Sequence, residues 1–220
     1  SGTIRCVTLS VYGTFQPAGG TVVFSSNVSS TSQVYLGPGN WVPNLTIDSN
    51  RTYHLSSDIN IKGDFTLDFG ALDVQHVDGS PVYNIYLAGG WWNNQGPSNF
   101  IERTGRVVFN GGGFQATKTS ENFNVIEVNK VPSGGGGDAL RIESGIADQN
   151  ITVFCNQYDW TAGALDANLR GIFTAADLAD DGLYGDYCCN TGCVLNLTND
   201  TNINLIGEMH ITGGEVNVVS

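Results

Sequence analysis

The chain has 220 residues, enough for one ordinary domain or a short run of repeats and too few for a multidomain machine. Hydrophobic residues make up 40% but charged residues only 14%, and 29 glycines accompany few helix formers, a balance that points to β structure rich in turns. The net charge of -12 repels phosphate backbones and anionic lipid, which excludes nucleic acid and membrane-surface docking. No apolar run approaches the roughly 18 residues needed to span a bilayer. The opening residues, Ser1 to Cys6, do not resemble a signal peptide, so the chain is expected to be soluble and to be a processed product or a piece of a longer protein.

Alternating apolar residues bounded by Gly, Asn, Asp or Ser predict short strands at 21–24, 44–47, 59–61, 65–67, 72–74, 85–87, 106–109 and 125–128. The segment also repeats. Gly13-Thr-Phe-Gln-Pro-Ala-Gly-Gly-Thr-Val-Val-Phe24 matches Ser98-Asn-Phe-Ile-Glu-Arg-Thr-Gly-Arg-Val-Val-Phe109 at Phe15/Phe100, Gly20/Gly105, Val22/Val107, Val23/Val108 and Phe24/Phe109. Residues 42–48 resemble 123–129, and residues 59–74 resemble 203–218. The two ends of the second copy stand much further apart than those of the first, which predicts an insertion at 131–194. The expected organisation is therefore a solenoid over 1–130, the insertion over 131–194, and the end of the second repeat over 195–220. In an all-β parallel solenoid no coil can bury its inward Val, Ile, Leu and Phe alone, so stacked coils build one continuous core. Asn and Gly at the corners supply the turn chemistry. A β-sandwich is the alternative architecture.

The insertion is acidic. It holds Asp138, Glu143, Asp148, Asp159, Asp166, Asp177, Asp180, Asp181 and Asp186 against Arg141 and Arg170 alone. It also holds four of the five cysteines, Cys155, Cys188, Cys189 and Cys193. Their crowding fits disulfides formed in an oxidising compartment, which would staple a loop-rich segment that lacks a share of the solenoid core. Secretion follows as the expected location. Cys6 is left over to pair elsewhere. Residues 173–179 read as a short helix with Thr174 as its cap.

Asp177, Asp180, Asp181 and Asp186, interleaved with Gly182 and Gly185, could gather hard oxygens around a calcium ion, although the spacing is not that of an EF-hand loop. A four-thiolate zinc site fits less well, because adjacent cysteines depart from Cys-x-x-Cys geometry. Tyr158 and Trp160 in the insertion, and Trp91 and Trp92 before it, present flat apolar faces suited to stacking on sugar rings. Trp91 and Trp41 also fall where an aromatic would stack along a coil.

The strings at 13–24, 44–47, 63–74, 90–96, 99–111 and 207–218 resemble the β-helical stretches of large cell-surface repeat proteins, including adhesins of the kind exported by type IX secretion. That resemblance implies a secreted, structural or adhesive segment whose partners are neighbouring repeats or identical chains at the solenoid end, together with a glycan or surface protein. It leaves the insertion unexplained.

Catalytic motifs are absent: there is no Gly-x-Ser-x-Gly elbow, no phosphate-binding loop and no His-Glu-x-x-His, and His54, His76 and His210 stand alone among strand residues. The reading is therefore a non-enzymatic adhesive segment that presents the acidic insertion for binding. A carbohydrate-binding module is the first alternative. A β-helical polysaccharide hydrolase or lyase is the second, with Asp180 and Asp181 as its carboxylates.

Overall fold

The computed structural model describes residues 2–25, 32–130, 139–142, 151–162, 164–167, 171–176, 182–184, 186–190, 194–198, 204–206, 209–212 and 215–219. The strands among them pair in parallel and build a β-solenoid. Its first face starts at Thr3–Cys6 and Thr21–Phe24 and continues through residues 45–47, residues 65–67 and Trp91–Asn93. Phe114–Thr117, Ala139–Ile142, Ala164–Ala167, Asp186–Asn190 and Met209–Thr212 extend it in order.

The second face holds Leu9–Val11, Ser32–Leu36 and the far ends of the long strands Leu45–Leu55 and Phe65–Asp73, and reaches Phe100–Ile101. Those two long strands turn the corner between faces, with register shifts between Ile47 and Thr52. Ile59–Ile61, Ile85–Leu87 and Arg106–Phe109 begin the third face. They belong to an eight-stranded sheet that also takes in Glu121–Asn129, Ile151–Ala162, Gly171–Ala175, Val194–Thr198 and Glu215–Val219.

Strand side chains alternate in direction, so every second residue points into the coil. Leu45 and Ile47, Phe65 and Leu67, Ile59 and Ile61, and Ile85 and Leu87 are all fully buried on this parity. Because stacked coils place like positions over one another, the inward aromatics meet. Trp91 lies 4.4 Å from Phe65, 4.8 Å from Phe100 and 5.1 Å from Phe123, ring centre to ring centre.

The corners carry a matching polar column. Asn44 Nδ2 donates to the Gly20 carbonyl at 2.7 Å, while its Oδ1 accepts from the Asp64 backbone N–H at 2.9 Å. Asp64 Oδ1 in turn accepts from the Gly90 N–H at 2.7 Å. Coils approach so closely here that a Cβ on Gly63 would lie 2.1 Å from Asn44 Oδ1, and one on Gly89 would lie 2.3 Å from the Gly63 carbonyl carbon.

Several features differ from the sequence expectation. Described residues within 131–194 extend the solenoid: Ala139–Ile142 pairs with Phe114–Thr117, and Ile151–Ala162 pairs with Glu121–Asn129. Leu140, Ile142, Ile151, Val153, Tyr158 and Leu165 supply the inward apolar positions, so these strands share the core that the acidic composition of the segment hides. Residues 173–175 form part of the strand Gly171–Ala175 rather than a helix, because Phe173 and Ala175 alternate inward against Val153 and Cys155. Cys155 is a free thiol, wholly buried in the core and not a staple, and burial pushes its pKa up. Cys6 is also free, half-buried, and raised to about 11 by desolvation.

The sequence repeat and the coil also differ in phase. Thr21–Phe24 lies on the first face and its sequence match Arg106–Phe109 on the third, so the two copies agree in strand chemistry and not in position around the coil. No helix among the described residues is long and apolar enough to cross a membrane.

The close corner gives a direct test. Gly89→Ala should lower stability by about 1–3 kcal/mol, since backbone must shift to admit the methyl group. Gly13→Ala, where a Cβ meets nothing within 4 Å, should change it by less than about 0.5 kcal/mol. Urea unfolding of the two variants checks the contrast.

Candidate functional site: a tyrosine-lined groove

The faces do not begin together. Three first-face segments and three second-face segments, counting the two ends of Leu45–Leu55, are in place before the third face starts at Ile59–Ile61. Where an earlier third-face strand would stack, a turn passes instead, with Gly39 at φ 77 and Gly37 so close that a Cβ would lie 3.0 Å from the Val11 carbonyl oxygen. Asn40 pins this turn, accepting from the Phe15 N–H at 2.6 Å and donating to the Gly13 carbonyl at 2.8 Å. Val42 bridges to Ile61 and so closes the edge of the third-face sheet.

The step leaves an open groove of about 710 Å³ bounded by Tyr35, Tyr83, Tyr86, Ser57, Asp58 and Asn60, with Gly37 and Pro38 along one wall. That size falls within the roughly 300–1,000 Å³ typical of small-molecule sites. Each aromatic is there for a strand-level reason. Tyr35 takes the outward parity of Ser32–Leu36 and packs on the exposed Tyr12 at 5.0 Å. Tyr86 takes the outward parity of Ile85–Leu87, beside Asn60 on the adjacent strand. Tyr83 lies just before that strand, partly packed on the core.

The polar groups are held in place as well. Asp58 Oδ1 accepts from the Asn84 N–H at 2.8 Å. Ser57 Oγ accepts from the Leu36 N–H at 2.8 Å and donates to the Asp58 carbonyl at 3.0 Å. Desolvation, and then the Asp58 carboxylate, raise the pKa of Tyr83 and of Tyr86. Both phenols therefore remain protonated donors at neutral pH. At Tyr86, Glu127 adds to the rise and Arg106 opposes it. Arg106 is itself tied to Glu127 at 2.5 Å and to Asp159. What results is a surface of aromatic faces, hydroxyls and a carboxylate, without a lysine or arginine among the described residues that line it.

The residues singled out from sequence lie elsewhere. Trp91 is fully buried, its Nε1 donating to Glu121 Oε2 at 3.0 Å, so it cannot stack on a ligand. Tyr158 is 1% exposed and packs edge-on against Phe173, which removes it for the same reason. Trp92 points outward from the first face with Lys118 4.5 Å from its ring centre, away from the groove. Trp160 sits opposite Val128 in the strand Ile151–Ala162. Asp177, Asp180, Asp181 and Cys193 lie outside the described residues. The backbones of Asp186, Cys188 and Cys189 form part of the first face, in register with residues 164, 166 and 167. No group of three or more His, Cys, Asp or Glu suited to a metal ion occurs among the described residues.

Sequence reasoning passed over Tyr35, Tyr83, Tyr86 and Asp58. The usable signal was parity, since an aromatic at the outward position of a short apolar strand has no core to fill. His54 is not isolated. Its Nδ1 lies 3.2 Å from the Gln75 carbonyl and 3.9 Å from Asp73, which also receives Arg103 at 2.8 Å. This cluster ties three coils together.

Comparison of the chain with models of protein families, with curated proteins and with solved structures finds no match in any of the three.

Glu121, fully buried beside Trp91, yields a pH prediction. Desolvation lifts its pKa from 4.5 to about 8 despite hydrogen bonds from Asn93, Trp91 and the Asn122 N–H. In the unfolded chain the group ionises near its ordinary value, so the folded state holds the extra proton between the two. Its contribution is complete below about 4.5 and is lost as pH rises through about 8. Thermal melts of the wild type should therefore fall in midpoint across that window, and Glu121→Gln should flatten the fall.

Proposed function

We propose that the chain is a structural and adhesive β-solenoid segment of a secreted cell-surface protein, and that its adhesive contact is the tyrosine-lined groove. The observation that carries this reading is the groove itself, an aromatic and hydroxyl-bearing recess fixed at a step in an otherwise regular stack of coils. A stack in which each coil supports the next suits a spacer, and several such grooves along a longer protein would multiply weak contacts by avidity. The resemblance of the repeat strings to surface adhesins, and the surplus of acidic over basic residues, agree with an extracellular setting.

The acidic segment with Asp177, Asp180, Asp181 and Asp186 offers a different, calcium-dependent contact, and one experiment separates the two. The purified chain is passed over immobilised polysaccharides and immobilised surface proteins, with calcium and then with chelator. Retention should survive chelator and disappear in a Tyr35→Ala, Tyr83→Ala, Tyr86→Ala variant. Retention that the triple variant keeps and chelator removes would move the contact to the acidic segment. No retention on any surface would sink the adhesive reading.

A further inference from the structure

We infer that the groove is a binding site for a neutral oligosaccharide, with Tyr83 and Tyr86 as the stacking platform and Asp58 and Asn60 as hydroxyl-reading groups. The inference rests on the adhesive reading of the same groove and names the chemistry of its ligand.

Three features select this class. The first is the combination of flat apolar faces with fixed polar groups. A pyranose ring has an apolar C–H face and a hydroxyl-bearing rim, and it needs both kinds of partner side by side. Tyr86 and Asn60 occupy adjacent strands at the same register, so one ring-sized ligand meets an aromatic and an amide together. The Asp58 carboxylate, anchored through Oδ1 by the Asn84 N–H, is a charged acceptor suited to a sugar hydroxyl.

Sign of charge is the second feature. Asp58 lines the groove, no lysine or arginine among the described residues does, and the chain carries a net charge of -12. A uronate, sulfated or phosphorylated ligand would meet repulsion with nothing in the lining to neutralise it.

Size and openness supply the third. Tyrosines around a carboxylate also suit a quaternary ammonium group, but such a group is compact and is held by rings that close around it. A recess of about 710 Å³ open along one side instead fits several consecutive units of a chain. The ligand would run from Tyr35, on the second-face side, across the corner to Tyr86 on the third face.

The test uses the full chain and titration calorimetry with four defined neutral hexasaccharides, of β-1,4-glucose, β-1,4-xylose, β-1,4-mannose and β-1,4-N-acetylglucosamine. Hexagalacturonate serves as the anionic probe and choline as the ammonium probe. At least one neutral hexasaccharide should bind, and hexagalacturonate should bind at least tenfold more weakly, with the gap narrowing as salt is added. Tyr86→Ala should weaken the neutral ligand at least tenfold, Tyr86→Phe should retain most of the affinity, and Asp58→Asn should reduce it without removing the preference for stacking ligands. Thermal midpoints of these outward-facing variants should match the wild type, so a loss of binding would not be a loss of fold. If none of the neutral hexasaccharides binds, or if binding is unchanged in Tyr83→Ala, Tyr86→Ala, the assignment is overturned. Choline or hexagalacturonate binding in preference to the neutral probes overturns it too. Failure here while retention on immobilised surface proteins persists would leave the adhesive reading standing, and failure in both assays would remove it.

Discussion

Parallel stacking is the constraint on which the rest of this structure depends. Neighbouring strands lie only about 4.8 Å apart, so a residue at a given register has its counterpart directly above and below. An inward position is therefore most stable when it is apolar or when its polar atoms find partners within the stack. The aromatic group of Phe65, Trp91, Phe100 and Phe123 meets the first condition. Gln115 meets the second: its Nε2 donates to the Leu87 and Gly89 carbonyls at 2.8 Å, and its Oε1 accepts from the Gly111 N–H at the same distance. Lys130 Nζ also donates to that oxygen, which gives a buried amine an acceptor within the stack. Glu121 has donors on both oxygens, yet its surroundings still favour the neutral form.

The same constraint explains where a site can arise. Within a regular run of coils the outward surface is mainly a ladder of side chains. A recess appears where one face lacks a strand that its neighbours have. The third face starts late, and the pinned turn with Gly37, Gly39 and Asn40 fills only part of the missing rung. Tyr35, Tyr83 and Tyr86 then border the step from two faces. The groove is a product of mismatched face lengths, and Tyr35 and Tyr86 are held as firmly as the strands that carry them.

Much of the local pattern was legible in the sequence. Residues 21–24, 59–61, 85–87 and 106–109 form the strands that alternation predicts, whereas Asn44, read as the start of a strand, sits at the corner before Leu45–Leu55. The way coils follow one another was not legible, for a physical reason. Coil length varies: Thr3 stacks on Thr21, Phe65 on Trp91 and Val125 on Gln157, so no fixed period links stacked residues. A search for repeats then finds the recurrence of a strand motif and misses its change of face. Composition misled in the second half. The acidic and cysteine-rich character of 131–194 suggested loops, but Asp159 and Asn156 are outward residues of a strand whose inward residues, Val153, Cys155 and Tyr158, are buried. Tyr35, Asp58, Tyr83 and Tyr86 escaped notice because only the stacking of unequal coils brings them together.

Nearest-neighbour support also ties the groove to the buried carboxyl. In a solenoid each coil is held by the coils on either side, so disturbance is felt first within one or two coils of its origin. Tyr86 and Trp91 lie on one coil, joined by the corner at 88–90, where Gly89 and Gly90 are fixed by the Gly63 carbonyl and by Asp64. Trp91 is in turn the donor to Glu121. Ionising Glu121 places a charge beneath the coil that carries the stacking platform, at a distance of one corner. The strand Ile85–Leu87 resists that disturbance because it is hydrogen-bonded on both sides, to Ile59–Ile61 and to Arg106–Phe109. Tyr83, outside the strand and held by its N–H to the Val74 carbonyl at 2.8 Å, has less lateral support. The groove therefore has one wall set by a doubly paired strand, beside a Tyr83 that is tied on one side only, through the Gln75–Val82 bridge and its packing on the core.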